Sequence, residues 1–435
     1  MAGLTAARVA ADHFEKVTLI ERDVLEDSAD ARKGVPQGRH AHGMLKRGEE
    51  ILEVLFPGLT QRLEAAGAVN MNINEGIAWR HFGGWKAHPP GVFMALFFTR
   101  PLLELEVRRA VMGIPNVQFI QGADVLGLTS SSDRRFVQGV RIRRGGAEET
   151  LAADLVIDAS GRGSRMPAWL EALGRSKVKE TIVTVDVAYS TRRLKRAPPG
   201  KHKWSALFVV GKSPTSKRGG ILLPVEGGDW LATLVGLLGD HPPTDPAGWL
   251  EFARNLEVPD YYEAVKDAEP VTDPVGFKFP SHQRRHYEQM ADFPGGLVVL
   301  GDSHCSFNPV YAQGMTTSIL GAELLKRQLE AWPRAGAGPA PEDFTRKFQR
   351  ALAQATNDPW AAATGEDFRY PEVQGKRPFG LSAIQWYTQR FHRLSHVDPE
   401  LTSTFYRVVH MLDPIKEMLK PKIVWKVLKG PLPPA

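Results

Sequence analysis

The chain has 435 residues, a single cysteine and a formal net charge of +6, from 55 Lys and Arg against 49 Asp and Glu. This length is enough for two or three domains, and one cysteine excludes an internal disulfide or a thiolate metal cluster. The modest, scattered positive charge argues against a nucleic-acid partner and is compatible with an anionic cofactor. No apolar run reaches the ~20 residues of a membrane span, and no export signal is present, so we expect a cytoplasmic protein.

The first predicted elements are a helix of small residues and a buried strand. Gly3 precedes the helix, and the strand at 17–20 ends on Glu21, next to Arg22. In a dinucleotide-binding unit the last glycine of G-x-G-x-x-G begins such a helix, and an acid ~20 residues later binds the ribose hydroxyls. Gly3 and Glu21 have a comparable spacing, so Gly3, Glu21 and the adjacent Arg22 are candidate cofactor-binding residues, with Glu21 placed to bind the ribose of an adenosine.

The strand and the two glycines that begin this motif do not precede Gly3. We therefore expect Met1 to be an internal methionine of a Gly-x-Gly-Met-Ala-Gly turn, and the sequence to be a shortened reading of a longer protein. Loss of the central strand would leave backbone groups of its neighbours without ladder partners, so such a chain should fold poorly and bind its nucleotide weakly. The alternative is that Met1 is genuine and the protein has dispensed with the strand.

A second segment combines a buried strand with a turn of small residues. The strand predicted at 151–159 brings Asp158 to its end, and the following residues, up to Gly161, let the backbone approach a phosphate. Arg162 and Arg165 can offset the charge of that phosphate. The alternative is an ordinary strand and turn with solvated arginines.

The middle of the chain predicts a mixed sheet, with strands at 183–190, 206–210 and 221–225. A loop rich in Gly and Pro at 334–341 marks a boundary, and the tail from residue 342 is mainly helical. We divide the chain into segments 1–165, 166–290, 291–333 and 342–435.

The third segment, residues 295–325, is the most informative. A strand at 297–300 leads through Gly301 and Asp302 into a loop, and a helix predicted from about 313 to 332 begins with Gln313, Gly314 and Met315. This arrangement places one carboxylate where it can bind a sugar-alcohol chain, and it directs the positive end of a helix dipole at an anion. The alternative is a plain strand–loop–helix connection.

In the order and content of these three segments, the chain resembles the FAD-dependent flavoprotein monooxygenase superfamily of aromatic hydroxylases and alkene epoxidases. The resemblance covers most of residues 1–330. It implies that Asp302 binds the ribityl chain, that Gly314 and Met315 face the flavin, and that Asp158 and Gly161 belong to the cofactor site.

Two further segments carry the resemblance. The run Thr-Arg-Pro-Leu-Leu at 99–103 matches a family element and makes Arg100 a candidate FAD contact. The loop 32–45 is similar to the branch with polyether-type epoxidases, which makes Arg39 the partner expected for the pyrophosphate or ribityl chain. At 159–161 the chain has Ala-Ser-Gly, where many members have Ala-Asp-Gly. Because of this departure from the family pattern, the resemblance does not indicate how NAD(P)H docks.

The resemblance implies an α/β fold, with a three-layer, Rossmann-like FAD-binding domain, an inserted mixed-sheet substrate domain and a helical C-terminal region. It implies a monooxygenase that hydroxylates or epoxidises a small apolar molecule with O2 through a flavin C4a-hydroperoxide, with NAD(P)H or an external reductase as electron source. No catalytic side chain is assigned. The alternatives are an FAD-dependent reductase that saturates prenyl double bonds and a degenerate, non-catalytic flavin-binding protein.

Some features have two interpretations. His40 and His42 lack a nearby third ligand, so we expect hydrogen-bonded structural groups or a proton donor near the flavin rather than a metal site. Aromatic residues in the predicted strands are expected in the core, although some could line an apolar pocket. The tail at 415–429 could lie on an acidic membrane, but we expect a helix packed on the body with solvated lysines. The sequence does not indicate the oligomeric state.

Overall fold

The computed structural model describes residues 1–89, 91, 93–198, 200–332 and 338–433. Residues 333–337 lie outside the described residues; they include the last residue of the predicted division 291–333 and half of the predicted boundary loop 334–341. The helices are α1 (Ala2–Ala11), α2 (Lys46–Leu55), α3 (Leu59–Ala65), α4 (Ile73–Gly76), α5 (Arg100–Met112), α6 (Met166–Ala172), α7 (Pro246–Arg254), α8 (Asp260–Val265), α9 (Gln313–Glu330), α10 (Glu342–Ala355), α11 (Asn357–Asp367), α12 (Leu381–Leu394), α13 (Pro399–Val409) and α14 (Pro421–Lys429).

The strands fall into five groups by pairing. They are β1 (Val17–Glu21), β2 (Val69–Asn72), β3 (Ile77–His81), β4 (Gly84–Trp85), β5 (Met94–Phe97), β6 (Val117–Gln121), β7 (Ala123–Ser130), β8 (Val137–Arg144), β9 (Ala147–Ala152), β10 (Val156–Asp158), β11 (Glu180–Lys195), β12 (Ala206–Val210), β13 (Arg218–Val225), β14 (Asp229–Leu237), β15 (Val275–Arg285), β16 (Leu297–Val299) and β17 (Cys305–Ser306). The α/β fold expected from the sequence is confirmed.

Two parallel strand pairs form a layer that we call the parallel layer. β1 pairs with β6, and β10 pairs with β16. Among the described residues, no ladder joins the two pairs. Helices α1, α5 and α9 pack over them in a core that includes Leu4, Leu103, Leu300 and Ile319. This layer holds the carboxyl ends of β1, β10 and β16, where the sequence places Glu21, Asp158 and Asp302.

The prediction of one continuous strand at 151–159 is wrong. β9 is the last strand of an antiparallel meander with β7 and β8, whereas β10 belongs to the parallel layer. The N–H of Ala153 donates to Gln138, and the N–H of Val156 donates to Gly296. The chain therefore changes its hydrogen-bonding partner between these residues, although its apolar character continues.

The largest sheet has eight strands in the order β17-β15-β11-β14-β13-β12-β3-β4. It is mixed, as expected, because β3 runs parallel to β12 while the other pairs are antiparallel. β11 extends beyond the predicted 183–190 and contains an irregularity between Thr184 and Val187. Strands β3 and β4, before residue 166, and β17, after residue 290, join this sheet; the division into four segments stays a prediction.

Helices cover the large sheet on both faces. α7 and α8 bury Trp249 and Tyr261 against one face. From the C-terminal helices, Phe391 and Tyr406 pack with Ala206 and other sheet residues in a second core. The tail from residue 342 is thus helical, as predicted. None of the helices in the described part of the chain has the length and apolar composition needed to cross a bilayer.

Candidate cofactor site

Glu21 lies at the carboxyl end of β1, as predicted, and its carboxylate is partly exposed. It accepts a hydrogen bond from the N–H of Asp23 at 3.1 Å and forms an ion pair with Arg32 at 3.2 Å. Arg22 beside it is exposed and has no polar partner among the described residues. Gly3 lies in α1, where an added Cβ would reach van der Waals contact with Ala159 of the second segment at 3.6 Å.

Sequence analysis missed a cluster of alternating charges beside Glu21. Arg32 contacts Asp23 at 2.8 Å and Glu104 at 2.7 Å, and Arg100 contacts Glu104 at 3.1 Å. Burial alone would raise the pKa of Glu104, but the Met1 amino group, Arg100 and Arg32 outweigh it and lower the pKa to about 2. This fixed anion orients both arginines at the site.

Arg100 is at the first position of α5. The side chain of Thr99 caps this helix by accepting from the N–H of Leu102, and Pro101 in the first turn favours helix initiation. Burial lowers the pKa of Arg100 despite the neighbouring Glu104. The side chain also approaches Gly38 of the loop predicted to bind the cofactor. A cavity of about 20 Å³, enough for about one water, lies between this loop and α5.

The loop 36–44 presents Arg39 to solvent and His40 to the interior. Arg39 has no ion pair or hydrogen bond among the described residues, so its guanidinium is available to a phosphate. Nδ1 of His42 lies 2.9 Å from the carbonyl oxygen of His40. Burial, with Arg100 nearby, lowers the pKa of His42 to about 3. His42 is therefore neutral at physiological pH.

His40 joins this loop to the large sheet. Its Nδ1 lies 2.8 Å from the hydroxyl of Thr191 on β11, and its ring packs against Tyr189 and Phe277. Burial and the nearby Arg39 lower the pKa of His40 to about 4. Its buried Nε2 has no hydrogen-bond partner among the described residues. No group of three potential metal ligands exists in the same part of the chain.

Asp302 is the carboxylate of the third segment and is half-buried at the end of β16. Among the described residues it has no hydrogen-bond or ion-pair partner. Burial raises its pKa, and the nearby Arg100 and Arg162 oppose this rise. Arg100 therefore connects Asp302 electrostatically with the charge cluster at Glu21.

Helix α9 begins beside Asp302. Its N-cap residue Ala312 makes no side-chain cap and has a φ of 55°, in the left-handed region. The first backbone N–H groups of the helix, including those of Gly314 and Met315, are thus left for another acceptor. A Cβ on Gly314 would lie 3.9 Å from Oδ1 of Asp302, and one on Gly43 would lie 3.1 Å from Cβ of Ala312. These two glycines allow the loop, the helix and the carboxylate to approach closely.

The carboxylate of Asp158, in contrast, is satisfied by protein donors. It is buried and accepts hydrogen bonds from the N–H and hydroxyl of Ser160 and from the hydroxyls of Ser164 and Ser303. Gly161 has a φ of 87°, and its N–H donates to Ser303 at 2.8 Å. Asp158 and Gly161 thus hold the second segment against the third.

Arg162 and Arg165 of the same turn also have protein partners. Arg162 donates to the carbonyl and hydroxyl of Ser281 and lies over the ring of Phe279. Arg165 lies over the ring of Trp169. Arg162 is therefore held by protein partners, whereas Arg165 is exposed to solvent.

A second group of residues missed by sequence analysis surrounds the loop before α9. Asp367, from the end of α11, accepts hydrogen bonds from the hydroxyl of Tyr311 at 2.6 Å and the amide of Asn308 at 3.2 Å. It also pairs with His282. Tyr189 donates to the amide oxygen of Asn308 at 3.0 Å. Asp367 was not detectable from the sequence, because it lies 59 residues from Asn308 and in no local motif.

These residues fit a flavin dinucleotide. Two carboxylates at strand ends, of which Asp302 has no protein donor, match the hydroxyls of a ribose and a ribityl chain. An exposed arginine and an uncapped helix start match the anionic parts. All ten predicted site residues lie within the described part of the chain, and their contacts with FAD stay predictions.

Comparisons with known proteins agree with this architecture. No family model matches the chain. Over 432 residues it is 32% identical to Protein Rv3254 of Mycobacterium tuberculosis (strain ATCC 25618 / H37Rv), covering 95% of this chain and 88% of that protein. It is 23% identical to squalene monooxygenase of Mus musculus over 76% of this chain, and it spans about half, 53%, of that relative.

Solved structures show the same fold at low sequence identity. A flavoprotein/dehydrogenase from Cytophaga hutchinsonii superposes with a TM-score of 0.65 at 15% identity, covering 98% of this chain and 94% of that one. The p-nitrophenol 4-monooxygenase PnpA from Pseudomonas putida DLL-E4 gives a TM-score of 0.63 at 15% identity, with coverage of 93% and 94%.

The chain belongs to the same family as Protein Rv3254. The solved structures share its fold, so the resemblance to FAD-dependent flavoprotein monooxygenases inferred from the sequence is confirmed at the level of the fold.

Proposed function

We propose that this chain binds FAD and acts as a monooxygenase that adds one oxygen atom of O2 to a small apolar molecule. The observation that carries the proposal is Asp302, a carboxylate that has no donor among the described residues and lies beside the uncapped start of α9. A carboxylate in this position has unused acceptor capacity for the hydroxyls of a ribityl chain. The fold shared with the flavoprotein from Cytophaga hutchinsonii supports the same cofactor.

Different groups of the chain bind different parts of the cofactor. Glu21 accepts hydrogen bonds from the ribose, and Arg39 neutralises a phosphate. The N–H groups of Gly314 and Met315 stabilise negative charge by up to about 2 kcal/mol through the positive end of α9. When bound and reduced, FAD supplies the activation of O2 and the electrophilic oxygen atom. This chemistry needs no side-chain nucleophile.

An apolar substrate is consistent with the apolar character of the region next to this helix start. Val310, in the turn before α9, packs against a buried core that includes Val187, Tyr189 and Phe279 of the large sheet. Such a core keeps water away from the neighbouring helix start. The names of the relatives support either substrate class, since one is a squalene monooxygenase and another a p-nitrophenol monooxygenase.

The experiment compares O2 uptake with the mass of the product. The chain is loaded with FAD and supplied with NADH or NADPH, or with an external flavin reductase, and candidate alkenes and aromatic compounds. We expect O2 to be consumed and the product to gain one oxygen atom. A product that gains two hydrogens while O2 is untouched would instead establish a double-bond reductase. Absence of flavin binding would contradict both enzymatic functions.

A further inference from the structure

Four of the exposed large apolar side chains in the C-terminal helical region lie on adjacent elements. They are Trp386 on α12, Leu419 in the turn before α14, and Trp425 and Leu428 on α14, with exposed fractions of 53%, 58%, 65% and 48%. We call these four residues the C-terminal patch. Single exposed apolar residues are common on proteins, but two tryptophans and two leucines on adjacent elements form an unusual surface.

The exposure does not arise from a helix that fails to pack. On α14, Ile423 and Val427 are buried in the core shared with the large sheet, whereas Trp425 and Leu428 lie on the outer side. The helix is therefore docked on the body, as expected from the sequence. Its outer face carries apolar residues in addition to the expected lysines.

Hydrogen bonds hold the elements of the patch together. The guanidinium of Arg390 donates to the carbonyl of Val427 at 2.9 Å, and it lies 5.6 Å from the ring centre of Trp386. It also reaches the carbonyl of Gly430 at 3.1 Å. The hydroxyl of Tyr387, adjacent to Trp386, donates to the carbonyl of Met418 at 2.6 Å, next to Leu419. The patch is thus one surface on a fixed scaffold.

Lysines border this surface. Residues 411–433 contain five lysines against Asp413 and Glu417. Three of these lysines form ion pairs, Lys420 with Glu417, Lys422 with Glu400, and Lys426 with Asp398 and Glu400. The side chains of Lys420 and Lys422 nevertheless remain 63% and 71% exposed. Nζ of Lys429 lies 5.6 Å from the ring centre of Trp425.

We propose that the C-terminal patch is a docking surface for an anionic lipid bilayer. Tryptophan and leucine side chains that are bordered by lysines bind at membrane interfaces. The rings enter the headgroup region, and the lysines contact acidic headgroups. A second copy of the chain fits less well, because a symmetric contact through this patch would bring lysines from both copies together. The proposal is independent of the proposed catalytic function.

The test measures co-sedimentation of the full chain with vesicles. Vesicles of phosphatidylcholine containing phosphatidylglycerol are compared with vesicles of phosphatidylcholine alone, at low and high salt. We expect binding to the anionic vesicles that weakens with salt. Replacing Trp425 and Leu428 together by serine should weaken it about tenfold, and Lys429→Gln about fivefold. Both changes are on exposed positions, so folding, checked by circular dichroism, should be retained.

A matched control replaces Val24 and Val54, which are 75% and 73% exposed but lie far from the patch in sequence, by serine. This variant should bind vesicles like the wild type. Equal binding by the Trp425 and Leu428 variant and the control would overturn the proposal, as would a wild type that stays in the supernatant. A dimer that is disrupted by the patch variant, without vesicle binding, would assign the surface to self-association instead.

Discussion

Asp367 and His282 form a fully buried pair in which Oδ2 of the carboxylate lies 2.5 Å from Nε2 of the imidazole. The N–H of Asn308 donates to Nδ1 of the same ring at 3.1 Å, so the proton of the neutral imidazole is on Nε2. The hydrogen bond therefore runs from His282 to Asp367. Together with Tyr311 and Asn308, three donors converge on this carboxylate and fix the loop that leads into α9.

We expect Asp367→Ala to lower the free energy of unfolding by at least about 3 kcal/mol, because three buried donors lose their acceptor. Asp367→Asn keeps the shape and one acceptor oxygen, so it should cost less. Urea unfolding monitored by circular dichroism measures both effects. Asp358→Ala, an exposed position of the same helix, is the control and should leave the stability within about 0.5 kcal/mol of the wild type. An Asp367→Ala variant as stable as this control would contradict the assigned network.

A second prediction concerns the affinity for FAD. Asp302→Ala should weaken FAD binding roughly tenfold to a hundredfold, since it removes a charge-assisted hydrogen bond worth ~1.5–3 kcal/mol. Because Asp302 has no protein donor, the same change should cost little stability. Flavin fluorescence during titration of the apoprotein gives the dissociation constant.

Arg39→Ala should reduce the affinity similarly, through the lost phosphate contact. The Asp358→Ala control should bind FAD like the wild type. Full flavin occupancy of both the Asp302 and the Arg39 variants at low FAD would show that the cofactor lies elsewhere.

Much of the local structure around the candidate site was predictable because its residues are close in sequence. Asp302, Gly314 and Met315 lie within one strand–loop–helix segment, and Gly3 and Glu21 lie within one helix–strand unit. The local pattern therefore contains both the residue types and their spacing. Asp367 and Glu104 had no such signal, since each acts through a contact that only the tertiary fold creates.

The error at 151–159 has a related cause. Hydrophobic pattern indicates that a segment is extended, but it does not identify the strand to which that segment bonds. Ala153 and Val156 belong to two different layers, and three residues separate them. The mixed central sheet was predictable as a set of strands, whereas its order depended on the long-range pairing of β3 with β12.

The stability of the protein should depend on pH through Lys86. This ammonium group is buried, where it donates to the hydroxyl of Ser395 at 2.6 Å. Burial lowers its pKa from 10.5 to about 7. Because the folded form holds the proton less tightly than the unfolded form, the free energy of unfolding should fall as pH decreases from 10.5 to about 7. The total loss is on the order of 4 kcal/mol.

The titratable groups around Lys86 do not interfere with measuring its effect on the free energy of unfolding above neutral pH. They are His81, His392, His396, Arg369 and Glu366. Burial lowers the pKa of the three histidines below 6.5, so they titrate outside this window. Urea unfolding at a series of pH values should show a smaller slope for Lys86→Met than for the wild type. Lys33→Met, at an exposed lysine, should keep the wild-type slope, and equal slopes in all three proteins would disprove the assignment.

The last prediction tests the backbone at the start of α9. Ala312 has a φ of 55°, a conformation that costs an alanine about 1 kcal/mol and a glycine much less. Ala312→Gly should therefore raise the free energy of unfolding by roughly 0.5 kcal/mol, the strain being partly offset by the greater entropy of glycine in the unfolded chain. Ala322→Gly, in the buried middle of the same helix, is the matched control and should destabilise by about 1 kcal/mol or more. An increase in the free energy of unfolding for Ala312→Gly and a decrease for Ala322→Gly would distinguish a position in the left-handed conformation from one in a regular helix. A loss of stability in both variants would mean that Ala312 does not bear this strain.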